Sequence, residues 1–117
     1  MFSVKIDVVH SVLELHLGGP LSEHQLTDFA QELKLVLSSM PEPPLGVLLE
    51  RKTARPSNQQ VERHLANVCK FIQESGARHF ADVGAADVAS VGYDERSRRF
   101  NSEEEARRWL LQPSSKL

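Results

Sequence analysis

The sequence predicts an α/β fold: one domain with a mixed sheet of four to five strands, an antiparallel hairpin at its N-terminus, later strands parallel, and helices packed on the sheet. Three observations predict it. Two short alternating runs open the chain with only a few residues between them. Three Ser residues, each followed three positions later by Gln or Glu, mark helix starts. Short apolar runs of strand length fall between those helices. The chain of 117 residues, 40% hydrophobic and 26% charged, has the size and composition of one globular domain. The domain is expected to span residues 1–112, with 113–117 a mobile tail.

The first run places Phe2, Val4, Ile6 and Val8 on one side and Ser3, Lys5 and Asp7 on the other, the period of a half-buried strand. Leu13, Leu15 and Leu17 then alternate with Glu14 and His16. So short a connection around His10 and Ser11 favours an antiparallel hairpin. Gly18-Gly19-Pro20 stops the second strand, because glycine weakens a strand and proline has no N–H for the ladder. Ser22 and Gln25 form a capping box, with Leu21 and Leu26 as its hydrophobic staple. The helix that follows carries Leu26, Phe29, Ala30, Leu33, Val36, Leu37 and Met40 on one face, until Pro41, Pro43 and Pro44 end it.

Leu45 to Leu49 is apolar without alternation, as expected of a central strand covered on both faces. After Glu50 to Pro56, Ser57 with Gln60 predicts a second capping box, leading a helix that places Val61, Leu65, Val68, Cys69 and Ile72 at helical spacing and stops at Gly76. Ala77 to Val83 reads as a strand, and Gly84 to Ala89 as a turn or short helix. Arg98-Arg99-Phe100 reads as a brief edge strand. Ser102 and Glu105 cap a last helix carrying Ala106, Trp109 and Leu110, closed by Pro113. Strands joined through helices are expected to lie parallel.

Composition limits the classes of function. No run approaches the roughly 18 to 20 apolar residues of a spanning helix. The first residues lack the pattern of a signal peptide, so the protein is expected in the cytoplasm. Cys69 is the single cysteine, which fits a reducing compartment. A formal net charge of −2 gives no reason to expect nucleic acid or an anionic membrane as partner.

No constellation of side chains indicates catalysis, a cofactor or a metal. His10, His16, His24, His64 and His79 fall on separate elements without metal-ligand spacing. Cys69 beside an apolar stripe reads as a buried, inert thiol. Glu103, Glu104 and Glu105 in a first helical turn favour the helix dipole and need no catalytic reason. Arg96, Arg98 and Arg99, with Arg107 and Arg108, form a candidate anion patch, although Glu103 with Arg107 and Glu104 with Arg108 are i,i+4 pairs that would occupy two of them. A second candidate is Arg51, Lys52, Thr53, Arg55 and Ser57, because ligands of open α/β sheets bind beyond the carboxyl ends of the strands. Trp109 reads as an anchor of the last helix.

The motifs resemble those of the STAS domains, and within them the SpoIIAA-like group of small bacterial proteins. Gly19-Pro20-Leu21-Ser22 is similar to the family's entry to its first helix. A strand followed by a capped helix stands where the family keeps a regulatory loop. The stretch from Arg99-Phe100 to Trp109-Leu110 is similar to the group's closing helix. The resemblance implies a regulatory or adaptor module that binds a protein, or in some members a small apolar or anionic ligand. In antagonists of sigma-factor inhibitors it also implies a phosphorylatable Ser or Thr at the start of the helix after the third strand. Ser57 stands there, within Ala54-Arg55-Pro56-Ser57-Asn58, without the family's Asp-Ser-Ser-Gly-type signature, and Thr53 is the other local hydroxyl.

The expected function is therefore non-enzymatic. A protein partner, another protein or a second copy of the chain, would bind the Arg51–Ser57 segment and the exposed face of the second helix, with Ser57 the candidate phosphosite. A carrier of a small ligand is the alternative, and a minor enzyme ranks behind both.

Overall fold

The computed structural model describes residues 1–84 and 96–111. Along the chain these form β1 (Phe2–Asp7), β2 (Val12–Leu17), β3 (Gly19–Leu21), α1 (Glu23–Ser39), β4 (Gly46–Glu50), β5 (Ala54–Pro56), α2 (Gln59–Gln73), β6 (His79–Val83), β7 (Ser97–Phe100) and α3 (Glu103–Leu110). The turn or short helix expected at Gly84 to Ala89 and the tail 113–117 lie outside the described residues, apart from Gly84.

The main sheet has five strands in the order β1-β2-β4-β6-β7. β1 and β2 are the expected antiparallel hairpin, with Phe2 opposite Leu17 and Asp7 opposite Val12. Every later neighbour is parallel. Asp7 accepts from both the backbone and the ring of His10 in the hairpin turn, and the ring contact holds its carboxyl below the ordinary value.

Side-chain parity sorts the sheet into two faces. Leu13, Leu15 and Leu17 of β2, Val47 and Leu49 of β4 and Phe80 of β6 meet Leu26, Phe29 and Leu33 of α1 and Val61, Leu65, Val68 and Ile72 of α2 in one apolar core. Each fully buried Leu or Phe there removes enough apolar surface from water to contribute about 1.5–3 kcal/mol. Cys69 shares this core, and burial pushes its thiol up to about 12, so it stays protonated at neutral pH. On the opposite face, Leu48, Ala81, Val83 and Ala106 form a second, smaller cluster under α3, edged by Phe100, Trp109 and Leu110. Trp109 is half-buried, and its ring lies edge-on to His79 at 5.1 Å and tilted against Phe100 at 5.4 Å.

The helix caps sharpen two expectations and correct a third. Ser22 and Gln25 complete the predicted capping box, and Ser102 accepts from the Glu105 N–H at 3.2 Å. The α2 cap is Asn58, one residue later than predicted: its side chain accepts from the Val61 N–H at 2.9 Å. Ser57 is held elsewhere, since both its hydroxyl and its N–H donate to the Leu21 carbonyl.

That contact belongs to a feature the sequence reading lacks. β3 and β5, each three residues long, form a separate parallel pair, with Gly19, Pro20 and Leu21 opposite Ala54, Arg55 and Pro56. The Gly-Gly-Pro stretch therefore redirects the chain as well as stopping β2. Gly19 has φ +71°, in the left-handed region that glycine enters without steric cost, and from there the chain turns into β3. Proline is tolerated because a two-stranded ribbon consists of edge strands.

Candidate partner-binding site

In a sheet whose strands β2, β4 and β6 run parallel, their carboxyl ends gather on one rim of the domain. Among the described residues four chain segments leave that rim: Gly18-Gly19 into β3 after β2, Arg51–Thr53 into β5 after β4, Gly84 after β6, and Asn101-Ser102 into α3 after β7. Open α/β sheets bind their ligands at such a rim, where successive segments diverge.

The structure separates the five residues predicted here. Lys52, Thr53, Arg55 and Ser57 are exposed. Arg51 is not: its side chain is 4% exposed and turned inward onto Asp82, which is 0% exposed. The pair is a fork, Nε to Oδ1 at 2.9 Å and a terminal guanidinium nitrogen to Oδ2 at 2.7 Å. Arg51 is thus corrected from a surface contact to an internal ion pair. The physical reason is Asp82, a carboxylate inside the apolar strand β6 that needs a cation to be buried at all. That lone acid within Phe80-Ala81-Asp82-Val83 is the signal from which the pairing was readable.

The exposed residues are held on an ordered frame. The Arg51 N–H donates to the Val83 carbonyl at 2.8 Å, and the Ala54 N–H to the Arg51 carbonyl at 3.2 Å. Thr53 accepts from the Gly19 N–H at 3.1 Å, and the Lys52 N–H donates to the Glu50 carboxylate at 3.2 Å. Among the described residues neither Lys52 nor Arg55 has an ion-pair partner. Two cations, a threonine and a serine therefore stand exposed on and beside a short, paired strand: Lys52 and Thr53 in the turn before β5, Arg55 on it and Ser57 just after it.

The second candidate patch is built differently. Arg107 bridges Glu14 of β2 and Glu103 of its own helix, the latter at 2.6 Å, and Arg108 meets Glu104 at 3.6 Å. Both intrahelical pairs were expected from the i,i+4 spacing, whereas Glu14, 93 residues away, was not. Burial pulls the Glu103 carboxyl up, but bonds from Arg107 and His16 outweigh it and hold the group below the usual carboxylate range. The same bonds from Glu14 and Glu103 raise Arg107 above its ordinary value. Arg98 lies over the Trp109 ring at 5.3 Å, and the Arg96 carbonyl accepts from the Phe80 N–H. Arg98 and Arg99 are exposed, but three of these five arginines already serve a ring or a carboxylate of the fold.

Among the described residues no group of His, Cys, Asp and Glu is placed to hold a metal ion, and no helix is long and apolar enough to cross a membrane.

No protein-family model matches the chain, and no curated protein sequence does. Solved structures do. A DUF3478-family protein with a SpoIIAA-like fold from Shewanella loihica PV-4 superposes with a TM-score of 0.67 at 13% identity, over 93% of each chain. An anti-sigma factor antagonist from Mycobacterium paratuberculosis gives 0.63 at 10% identity, over 96% of each chain. The anti-sigma factor antagonist SpoIIAA in its unphosphorylated form gives 0.63 at 12% identity, covering 94% of this chain and 96% of that one. At such identities the likeness concerns the fold alone. The chain has the SpoIIAA-like fold of the STAS domains, as its motifs implied.

Proposed function

We propose that the protein is a non-enzymatic regulatory module that binds an acidic surface of a protein partner through Lys52, Thr53, Arg55 and Ser57. The observation that carries the reading is the pair of cations Lys52 and Arg55, without an ion-pair partner among the described residues and exposed at the carboxyl-end rim, Lys52 in the turn after β4 and Arg55 on the paired strand β5. Charges held open in a fixed place steer an oppositely charged partner and fix its register. Two of the structural neighbours are anti-sigma factor antagonists, which is consistent with binding a protein. A carrier of a small apolar ligand is the weaker reading, since a ligand between sheet and helices would have to displace Phe29, Leu33, Leu65 and Ile72, all buried.

Ser57 supplies a means of control within the same proposal. A phosphate there would forfeit the hydroxyl's donation to Leu21 and set negative charge on the basic segment, two residues from Arg55. Phosphorylation is therefore expected to turn binding off.

The test is capture from native lysate with the tagged protein, run beside a Lys52→Glu/Arg55→Glu variant and a Ser57→Asp variant. A stoichiometric protein retained by the wild type and lost, by about 100-fold in affinity, from the double variant supports the proposal. A partner retained equally by all three proteins sinks it. Recovery of the protein alone with a small added mass would favour the carrier.

A further inference from the structure

We infer that Arg51 and Asp82 are a positioning pair that holds the Lys52–Ser57 surface in its binding shape, an inference that rests on that surface being the site. Arg51 is the residue at which the chain leaves β4 for the rim, and it is fixed at three points. Its N–H is bonded to Val83 at the end of β6, its carbonyl closes the turn to Ala54, and its guanidinium forks onto Asp82. The next two residues are Lys52 and Thr53, so the direction in which they emerge follows from the orientation of Arg51.

The surroundings leave the fork little freedom. A Cβ on Gly84 would lie 3.3 Å from Arg51 Nε and 3.6 Å from Asp82 Oδ1, so the Gly84 backbone abuts the pair at a distance that favours glycine. Asp82 stands opposite Leu49 on β4 and shares its face with the large apolar core. An ion pair in such a place is not the most stable way to fill it, because well-packed apolar side chains of similar volume usually do as well or better. What an apolar pair cannot supply is two parallel bonds that fix one orientation of the residue before the loop. A loop held in advance loses less entropy on binding.

Native-state hydrogen exchange of the whole chain, read by NMR, tests the assignment without needing the partner. The probes are the amides of Gly19, Arg51 and Ala54, whose acceptors frame the loop, with the Leu48 amide in β4 as the reference. In an Arg51→Met/Asp82→Leu variant the loop amides are expected to exchange at least about tenfold faster relative to Leu48, the mark of local opening. If the loop amides keep their wild-type ratio to Leu48, the pair is core filling and the inference is overturned. Should that variant fail to fold, Arg51→Lys keeps the charge and loses the fork, and the same ratio decides. Failure of the binding proposal would show as an unaffected partner, whereas failure here shows as unaffected exchange.

Discussion

Two basic regions of this molecule look alike in the sequence and are opposite in the structure. Around α3, Arg107 and Arg108 pair with glutamates and Arg98 lies on an indole ring, so these arginines are already engaged within the fold. At the carboxyl-end rim one arginine, Arg51, is absorbed completely, and that leaves Lys52 and Arg55 displayed. A count of basic residues would favour α3 as the binding face. Pairing is the reason the rim is proposed instead, because a cation already matched to a carboxylate offers a partner little net charge.

The comparison can be broken at several points. The largest effect is expected from Arg51→Met alone, which removes the cation forked onto the buried Asp82 carboxylate and should lower stability by about 3–5 kcal/mol in urea unfolding. A loss below about 1 kcal/mol would mean that Asp82 is solvated and the two regions differ less than their geometry states.

Asn58→Ala removes the cap of α2 and is expected to cost about 1 kcal/mol, more than Ser57→Ala, which leaves that cap in place. The reverse order in thermal unfolding would return the cap to Ser57 and free Asn58.

In the α3 region, Arg107→Met is expected to cost about 1 kcal/mol, and Arg108→Met less, since that pair is long and exposed. Acid should act on α3 in the same sense. Because Glu103 titrates lower in the folded chain than in the unfolded one, its contribution is complete above the ordinary glutamate value of about 4.3 and disappears as pH falls through the folded value. Helix α3 should therefore loosen in acid, visible as faster exchange of its amides. A flat profile between pH 6 and about pH 3 would show that the Glu103 contacts do not hold the helix.

The parts of the fold written in local periodicity were legible. Alternation located β1 and β2, the continuous run located β4, and two of three caps were read at the right residue, because strand period, burial and capping are short-range properties. The β3–β5 ribbon was missed for the complementary reason: three-residue strands containing Pro20 and Pro56 have too little pattern to show, and their pairing joins residues 35 apart. Ser57 meets Leu21 across 36 residues, a contact its Ser-x-x-Gln spacing does not reveal, so that spacing reads as a cap. At the proposed site, the exposure of Lys52, Thr53, Arg55 and Ser57 was legible from polar residues that follow a buried strand. Arg51 was placed with them because its partner lies 31 residues on. Only the lone aspartate in an apolar strand hinted at that pair.

The most direct test of the account is a chemical-shift map of the ¹⁵N-labelled chain as the captured partner is added. The largest changes are expected on Lys52, Thr53, Arg55, Ser57 and the facing Gly19, with α3 unaffected. Changes gathered instead on Arg98, Arg99 and α3 would contradict it, and would mean that the arginines the fold already uses are the ones the partner reads.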